Sequence, residues 1–397
     1  MSDTMHSDII IVGAGPAGLA FARYFKGSEL RLTIIEKAPL SSLQNPAYDG
    51  REIALTNRSK EILQNLGAWQ RFNPDEVYPL VDAKVYSGTL DYALHFQVPS
   101  LMKSMRLLDR LGNLISNHNI RKAIYDEVAT MDNVTLITEI GVTDVKTDDV
   151  QATVSLADGR TLTADLVIAA DSRLSGVRRM LGIGADMHDF GRTVIVFRVS
   201  HPLSNGATAQ ECFLYGRTLA LLPLNDHLTN CVITLDNTQA DALLSLSPQA
   251  LASEAQRMFG DQFGTFSIAG SVHHYPLMGV HAHQFHAKRA ALIGDAAVGM
   301  HPVTAHGYNL GLISADILAP LIIEAHRMGR DIASDRLLAT FNRRHQIHTR
   351  PLYHGTNAMV TLFTDDRKPV RAVRDLALRV SNNLPPVKHW IAKQLVG

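Results

Sequence analysis

The sequence predicts an α/β protein with a mostly parallel sheet, an inserted mostly antiparallel sheet and a C-terminal helical segment. Three observations support this class. The chain opens with a strand, a glycine-rich turn, a helix and a second strand. Two further apolar runs, at residues 165–170 and 289–293, each end in a loop of small and polar residues. Between these runs, four strand-like segments follow one another before the next helix.

The composition excludes several classes of protein. The 397 residues allow two or three domains, and 46% apolar with 19% charged residues fits neither a disordered chain nor a coiled coil. Lys+Arg and Asp+Glu both number 38, so no nucleic-acid partner is predicted. Two cysteines, Cys212 and Cys231, are too few for a disulfide framework, and we interpret them as reduced packing residues of the sheet.

Neither a signal peptide nor a membrane-spanning helix is predicted. The first apolar run, 9–12, follows acidic residues and leads directly into glycines. The longest later run, 317–323, is far too short to cross a bilayer and contains Pro320. We therefore expect a cytoplasmic protein.

The first 36 residues predict a βαβ unit. Residues 8–12 have the β-branched, non-alternating pattern of a buried parallel strand, residues 19–25 that of a helix, and residues 31–35 that of a second strand. The second strand ends at Glu36, 18 positions beyond the last glycine of a G-x-G-x-x-G run. This order of elements is typical of a dinucleotide site.

Each glycine of the run has a physical role in such a site. Gly13 permits the tight turn, Gly15 lets the backbone approach a pyrophosphate, and Gly18 lets helix and strand pack closely. The helix N-terminus offers free N–H groups to the phosphates, and Glu36 can accept hydrogen bonds from a ribose. The motif leaves NAD and FAD open, and the alternative is a tight glycine turn in an ordinary α/β protein.

The following segment predicts a mixture of helices, short strands and one hairpin. Predicted helices lie at 58–66 and 119–127, strands at 85–86, 92–97 and 134–137, and a hairpin at 152–157 and 161–164 around Asp158-Gly159. A second buried strand at 165–170 runs into Asp171. The loop after it is either ligand-facing or a plain strand-to-helix turn with Asp171 as its N-cap.

The chain then changes character. Strand-like segments at 193–199, 211–215, 219–223 and 230–235, followed by a helix at 248–259, predict the inserted sheet. We assign residues 1–75, 101–182 and 285–330 to a discontinuous nucleotide-binding domain. Residues 76–100 and 183–284 form the inserted domain, and residues 331–397 form the C-terminal helical segment.

A second glycine-rich site follows the strand at 289–293. Asp295 can bond a ribose or ribitol hydroxyl, Pro302 fixes the backbone, and Gly307 and Gly311 permit close approach to a flat ring. The helix predicted at 313–325, which starts near Asn309, points its N-terminus toward an electron-rich oxygen.

Taken together, these motifs resemble the single-component FAD-dependent aromatic hydroxylases, the para-hydroxybenzoate hydroxylase-like family, and within it the ubiquinone-biosynthesis hydroxylases. The resemblance covers nearly the whole chain. Its motifs are Gly13-x-Gly15-x-x-Gly18 with Glu36, Asp49-Gly50-Arg51-x-x-Ala54-Leu55, Asn119, Ala170-Asp171-x-x-x-Ser175-x-Val177-Arg178, Leu221-Leu222-Pro223-Leu224, Tyr275-Pro276-Leu277, Gly294-Asp295-Ala296-Ala297, His301-Pro302 and Gly307-x-Asn309-Leu310-Gly311-Leu312.

The resemblance implies a Rossmann-like FAD-binding domain of the GR2 type. The adenosine would lie on residues 13–36, the ribitol on Asp295, and the pyrimidine edge of the flavin on the backbone of residues 307–310. The cofactor-binding residues implied are Gly13, Gly15, Pro16, Ala17, Gly18, Glu36, Lys37, Arg51, Asn119, Asp171, Asp295, Pro302, Gly307, Tyr308, Asn309 and Leu310.

Two positions depart from the family pattern. Ser172 stands where the family usually has glycine, and Ala305-His306-Gly307 stands where relatives usually read Gly-Gln-Gly. His306 would therefore lie close to the flavin. The run from His301 to Gly307 is similar to runs in bacterial hydroxylases that act on 5-demethoxyubiquinol.

The implied activity is hydroxylation of an aromatic or polyprenyl quinol ring in ubiquinone biosynthesis. The cofactor would react with O₂ to give a C4a-hydroperoxyflavin, with NADH, NADPH or a reductase as electron donor. His306 is the candidate general base, with Tyr215 on the sheet behind it, and a packing role is the alternative for His306. The competing functions are an FAD-dependent isoprenoid reductase and a non-catalytic flavin-bearing subunit of a biosynthetic complex.

Two other features carry weaker predictions. His281-x-His283-x-x-His286 is the densest histidine cluster, but it lacks a Cys or carboxylate at ligand spacing, so we interpret it as a solvated loop and predict no metal site. Residues 367–397 are basic and amphipathic. They would either contact anionic lipid at the inner face of the cell membrane, where a polyprenyl quinol resides, or pack on the protein's own surface.

Overall fold

A computed structural model describes residues 5–88, 93–97, 109–214, 216–301 and 306–364. The strands are β1 (His6–Val12), β2 (Leu32–Ile35), β3 (Glu52–Leu55), β4 (Tyr78–Leu80), β5 (Asp82–Ser87), β6 (Ala93–Gln97), β7 (Gly112–Ser116), β8 (Val134–Ile137), β9 (Val142–Thr147), β10 (Ala152–Leu156), β11 (Thr161–Ala169), β12 (Ala185–Ser200), β13 (Thr208–Leu214), β14 (Arg217–Asn225), β15 (Leu228–Asp236), β16 (Ser267–Ile268), β17 (His273–Ala282), β18 (His286–Ala287), β19 (Ala290–Leu292) and β20 (Val298–Gly299). The α-helices are α1 (Pro16–Arg23), α2 (Ser41–Gln44), α3 (Asn57–Asn65), α4 (Asn117–Val128), α5 (Gly176–Met180), α6 (Asn237–Leu244), α7 (Pro248–Phe259), α8 (Gly307–Arg327) and α9 (Asp335–Thr364).

The first sheet carries the predicted βαβ unit. Its central order is β18-β19-β11-β1-β2-β8, and the pairs of β1 with β2 and β11, of β2 with β8 and of β11 with β19 are parallel. Ile9, Ile10 and Ile11 are fully buried, as expected for a strand with a layer on each face. The carboxyl ends of β1, β11 and β19 therefore lie side by side at one edge.

The second sheet has the order β20-β17-β12-β15-β14-β13-β5-β6 and is mostly antiparallel, as predicted, with β5 and β13 as a parallel pair. Helices α6 and α7 pack on one face, where Cys212 and Cys231 are buried in the core. This confirms the two thiols as packing residues. A small third sheet has the order β3-β7-β4.

Three predicted elements need correction. The hairpin strand and the buried strand at 165–170 form one continuous strand, β11, which pairs antiparallel with β10 and then parallel with β1. Strand β17 was not predicted, although it makes the longest pairing of β12. Helix α8 begins at Gly307, one and a half turns earlier than the predicted 313.

The interpretation of the histidine cluster as a solvated loop is wrong for His281. Its side chain is buried at the end of β17, where the ring lies beside Phe285 and Tyr353. The reason is tertiary: α9 covers this end of the strand, and the sequence alone does not show that cover.

Helix α8 is long and apolar enough to pass a length-and-composition test for a membrane span. Just over half of its most apolar stretch, 56%, is buried inside the protein. Leu312, Ala315, Leu318 and Ile322 belong to the main core, which is the behaviour of a core helix.

The buried histidines predict an acid-sensitive fold. Burial lowers the pKa of His345 to about 3 and that of His281 to about 4. Below about pH 6.5, these histidines therefore bind protons in the unfolded chain but stay neutral in the folded protein. The free energy of unfolding is thus highest above that pH and declines toward pH 4. At pH 5 we expect a loss of about 2 kcal/mol for each of these residues.

Urea unfolding at pH 7.5 and pH 5 measures this loss. His345→Phe should remove part of the pH dependence, because phenylalanine does not titrate. The new ring should be tolerated, since it would pack against Phe285 and Phe341. The control His227→Gln alters an exposed residue and should leave the dependence intact. Equal dependence in all three proteins would contradict the assignment.

Candidate cofactor and substrate site

Three segments that are far apart in the chain meet at one edge of the first sheet. A Cβ on Gly13, whose φ is +107°, would lie 2.4 Å from the carbonyl oxygen of Ala170 after β11. A Cβ on Gly294 would lie 2.8 Å from Cβ of Ala17. Gly311 of α8 is in van der Waals range of the same Ala17 side chain. The glycines thus allow the ends of β1, β11 and β19 to come together with α1 and α8.

Two helix N-termini open toward this edge without a side-chain cap. Gly15 precedes α1, with Pro16 at the first helical position, and His306 precedes α8. A Cβ on Gly15 or on Gly307 would meet no atom within 4 Å. The backbone at both helix starts therefore borders open space, which is the property required of a cradle for phosphates or an electron-rich ring.

Glu36 is fixed at the end of β2. Its carboxylate accepts hydrogen bonds from the backbone N–H of Ala14 at 2.7 Å and of Ala38 at 2.8 Å. Lys37 beside it is exposed. An acceptor held at this place is suited to a ribose hydroxyl.

Asp295 and Arg51 approach the same space from different elements. Asp295 accepts hydrogen bonds from Arg173 at 3.1 and 3.3 Å. Arg51 donates to Asp49 and lies 5.4 Å from the centroid of the Tyr275 ring. Burial lowers the pKa of Arg51, but its hydrogen bond with Asp49 and the charges of Asp49 and, more weakly, Tyr275 and Asp295 raise the pKa above its usual value.

The asparagines serve to hold the elements in place. Asn309 donates to the carbonyl oxygen of Ala54 at 2.9 Å and accepts from the N–H of Thr56 at 3.2 Å, which ties α8 to β3. Asn119 donates to Glu76 at 2.8 Å. Asn117, which sequence reasoning did not single out, donates to Asp49 at 2.8 Å and so supports the Arg51 segment.

The loop after β11 is a strand-to-helix turn, but its N-cap is Ser175 and not Asp171, which the alternative interpretation had placed there. Asp171 accepts from the Ser175 hydroxyl at 2.5 Å and from the N–H of Val177 at 3.1 Å, while Ser175 caps α5. Ser172 has a φ of +117°, a conformation that side chains strain to adopt. The family's usual glycine at this position has a physical reason in that backbone angle.

The remaining predicted residues lie at the start of α8. His306 is buried and its carbonyl oxygen accepts from Leu310, and Leu310 itself belongs to the core. Burial raises the pKa of Tyr308, and its hydroxyl has no hydrogen-bond partner within the described residues. The predicted residues Tyr215 and Pro302 lie outside the described residues.

The donor set at this edge fits FAD. Two uncapped helix ends offer N–H groups, Glu36 and Asp295 offer carboxylate acceptors, and the open space beside Gly15 and Gly307 would be filled by a side chain. Sequence reasoning missed Arg173 and Asn117, whose partners are set by tertiary contacts.

Comparisons with known proteins agree with this site. Residues 6–352 match the family described as FAD binding domain. The chain is 54% identical over 394 residues to ubiquinone hydroxylase UbiM of Neisseria meningitidis, covering 99% of this chain and 85% of that protein. It is 25% identical over 394 residues to the 3-demethoxyubiquinol 3-hydroxylase of Escherichia coli, covering 98% of both.

The fold is also that of a solved hydroxylase. The p-nitrophenol 4-monooxygenase PnpA of Pseudomonas putida superimposes with a TM-score of 0.78 at 18% identity, over 99% of both chains. The predicted resemblance, fold class and enzyme class are therefore confirmed. This chain belongs to the FAD-binding-domain family of flavin-dependent monooxygenases.

Proposed function

We propose that this protein hydroxylates the ring of a polyprenyl quinol during ubiquinone biosynthesis, with FAD as its cofactor. The observation that carries the proposal is the agreement between the site geometry and the 54% identity to a ubiquinone hydroxylase over almost the whole chain. When bound and reduced, FAD supplies the activation of O₂ and the delivery of one oxygen atom to an electron-rich ring. A demethoxyubiquinol is the proposed substrate, supported by the E. coli relative.

The chain's own residues would bind and orient the cofactor. The N-terminus of α1 would hold the pyrophosphate, Glu36 the adenosine ribose and Asp295 the ribitol. The N-terminus of α8 at Gly307 would stabilise negative charge on the flavin pyrimidine. Roles for His306 beside the ring, and for Asn119 and Asp171, stay predictions; the described side chains of the latter two bond to Glu76, Ser175 and Val177 instead.

The substrate ring would lie between the cofactor and the second sheet. Residues 49 and 50 contact that sheet: Tyr275 donates to the carbonyl oxygen of Asp49, and Asn230 donates to that of Gly50. The face of the sheet opposite α6 and α7 therefore borders the cofactor space. A site enclosed in this way excludes water from the reacting atoms.

Several finer statements belong to the proposal. NADH, NADPH or a reductase would supply the electrons. The first sheet would belong to the cofactor domain and the second sheet to the inserted substrate domain. Membership of a quinone-biosynthesis complex and contact with the cell membrane would suit a polyprenyl substrate, but residues 367–397, which would make the membrane contact, lie outside the described residues.

The test is an assay of the purified yellow protein with short-chain demethoxyquinols, simple phenols and a polyprenyl alkene. NADH, NADPH and a reductase are supplied in turn. We expect O₂ uptake, one added oxygen atom in the quinol by mass spectrometry, and little turnover of simple phenols. Reduction of the alkene without O₂ uptake would favour the isoprenoid reductase, and no turnover by a flavin-loaded protein would favour a non-catalytic subunit.

A further inference from the structure

One carboxylate on the second sheet has no role in the contacts described so far. Glu211 lies on β13, in an interior position of the sheet. Within the described part of the chain, no hydrogen bond or ion pair reaches its carboxylate, and burial alone raises its pKa to about 8. Glu211 is half-buried, so its carboxyl group can be reached from the face of the sheet, and a carboxyl group with a raised pKa in such a position is a candidate functional group.

The strand register shows which face Glu211 occupies. Cys212, its neighbour, packs in the core formed with α6 and α7. Because side chains alternate along a strand, Glu211 points to the opposite face, the one that borders residues 49 and 50. Phe213, two residues on, packs on that face with Leu94 and Phe96.

Glu211 belongs to a continuous row that crosses this face. Its neighbours in register are Val85 on one side and Ala220 on the other, and Ala220 is followed by Val232, Val196 and His273. A Cβ on Gly50 would touch both Val196 and His273. With strands about 4.8 Å apart, Glu211 lies about 14 Å from Val196.

The middle of the row lines open space. Val85, Glu211, Ala220 and Val232 all retain accessible surface, although they lie on interior strands. The residues beside them that point to the other face, Cys212, Leu219, Leu221 and Cys231, are buried. Accessible surface at an interior position means that the row forms a wall beside space that the described residues leave open. The wall is apolar and carries one carboxyl group.

We infer that Glu211 accepts the hydrogen bond of a ring hydroxyl of the substrate and takes its proton, an inference that rests on the proposed quinol hydroxylation. The flat apolar floor at Ala220 and Val232 would support the ring between Glu211 and Gly50. Cofactor and carboxyl group would then face the ring from two sides, so Glu211 would be the group that activates it.

The proton step balances. The ring O–H bond breaks, its proton passes to a carboxylate oxygen of Glu211, and the electron pair left on the ring oxygen enriches the carbon that receives the new oxygen atom. That oxygen atom comes from O₂ and the reduced cofactor, as in the family's activity. Afterwards the proton returns from Glu211 to the ring oxygen, and the ring carbon loses its hydrogen as a proton. The second oxygen atom of O₂ takes up a proton in exchange and leaves as water, and the reduced cofactor, which supplies the two electrons, is left oxidised.

The surroundings leave Glu211 as the group that titrates at this wall. The described side chains facing it are apolar: Val85 and Ala220, then Leu94 of β6 and Met359 and Leu362 of α9. Cys212 and Tyr86 point to the other face, and burial raises the pKa of the Cys212 thiol to about 12. His273 ends the row, and Arg198, on the next row of the same face, is paired with Glu52.

The first experiment is the pH profile of kcat for the flavin-loaded enzyme with a short-chain demethoxyquinol. The wild-type enzyme should show kcat rising through about pH 8. Glu211→Gln should lose this limb and about 100-fold or more in kcat, the contribution of a positioned general base. The matched control is Glu254→Gln on α7, on the opposite side of the same sheet, which should behave as wild type.

The second experiment measures binding without turnover, through the change in flavin absorbance. The probes are a short-chain methoxyhydroquinone and its dimethyl ether, which lacks the ring hydroxyls. The wild-type protein should bind the hydroquinone roughly 10- to 100-fold more tightly, as expected for a hydrogen bond to a charged group, and Glu211→Leu should bind both alike.

The outcomes separate the two claims. An unchanged pH limb in Glu211→Gln, or a limb lost in His306→Gln instead, would overturn the inference and leave quinol hydroxylation standing. If the wild-type enzyme hydroxylates no quinol, the proposed function is wrong. In that case the binding experiment still tests Glu211: if the wild-type protein binds the hydroquinone no more tightly than the dimethyl ether, as Glu211→Leu is expected to do, the role of the carboxylate is wrong as well.

Discussion

Replacing Gly15 by alanine should give a folded protein that purifies without its yellow colour. The new Cβ meets no protein atom within 4 Å and the backbone φ of −69° suits any residue, so the fold has no reason to change. The methyl group instead enters the space from which the α1 N-terminus would bind the pyrophosphate. We expect the affinity for FAD to fall roughly 10- to 100-fold, the loss of one hydrogen bond to a charged group.

Gly18→Ala, unlike Gly15→Ala, should destabilise the fold itself. Its Cβ would lie 2.2 Å from the carbonyl oxygen of Gly13, so α1 must move away from β1. We expect a lower unfolding temperature as well as loss of FAD, with a cost of about 1–3 kcal/mol for an overpacked contact.

The ratio of flavin to protein absorbance, FAD titration by fluorescence and thermal unfolding of the apoproteins separate these two effects. Gly355→Ala is the control, since its Cβ also meets no atom and the residue is exposed on α9. If Gly15→Ala kept full FAD affinity, the proposed position of the pyrophosphate would be wrong.

Arg198→Met should destabilise the fold by about 3–5 kcal/mol, as expected when one partner of a buried ion pair is removed. Arg198 bonds Glu52 at 2.5 Å and the Ser116 hydroxyl at 2.8 Å, and the Glu52 side chain has no exposed surface. Burial raises the pKa of Glu52, although the Arg198 charge opposes this rise. Without Arg198, the folded protein would hold Glu52 protonated over a wider pH range than the unfolded chain.

The loss in Arg198→Met should therefore grow as the pH rises above the carboxyl group's unfolded pKa of about 4.3. Urea unfolding at pH 5.5 and pH 8 measures it. The double variant Arg198→Met with Glu52→Leu should recover most of the stability, because no charge is then left buried. Arg257→Met, which breaks an exposed pair with Glu254, should change stability by less than about 1 kcal/mol.

Local patterns predicted the parts of this fold that depend on neighbouring residues. The β1–α1–β2 unit was found because its glycines and apolar runs are adjacent in sequence. Strand β17 was missed because its sequence, HHYPLMGVHA, alternates poorly and contains Pro276; it is stabilised by pairing with β12 about 90 residues away. Strand β11 was divided because a change from an antiparallel to a parallel partner leaves no mark in the sequence.

The site residues also fall into two groups, those that local sequence predicts and those that depend on tertiary contacts. Gly13, Gly15, Glu36 and Asp295 follow strands directly, so their place at one edge is predictable. Asn117 and Asn119 are two residues apart on one helix, and only the folded arrangement shows which amide reaches Asp49. For Glu211, the sequence predicts a strand but does not show that its face of the sheet keeps accessible surface.

The central place of β11 also has a consequence for synthesis of the chain. This strand joins β1 on one side and β19 on the other, and β19 begins at residue 290. At the usual pace of the ribosome, on the order of 10 s pass between the emergence of the two strands. Throughout that interval, the edge of β11 that later pairs with β19 remains unpaired in a highly apolar nascent sheet, so we expect chaperones to bind the chain at this stage. The cofactor site is also incomplete until β19 is made, so we expect FAD to bind only after translation.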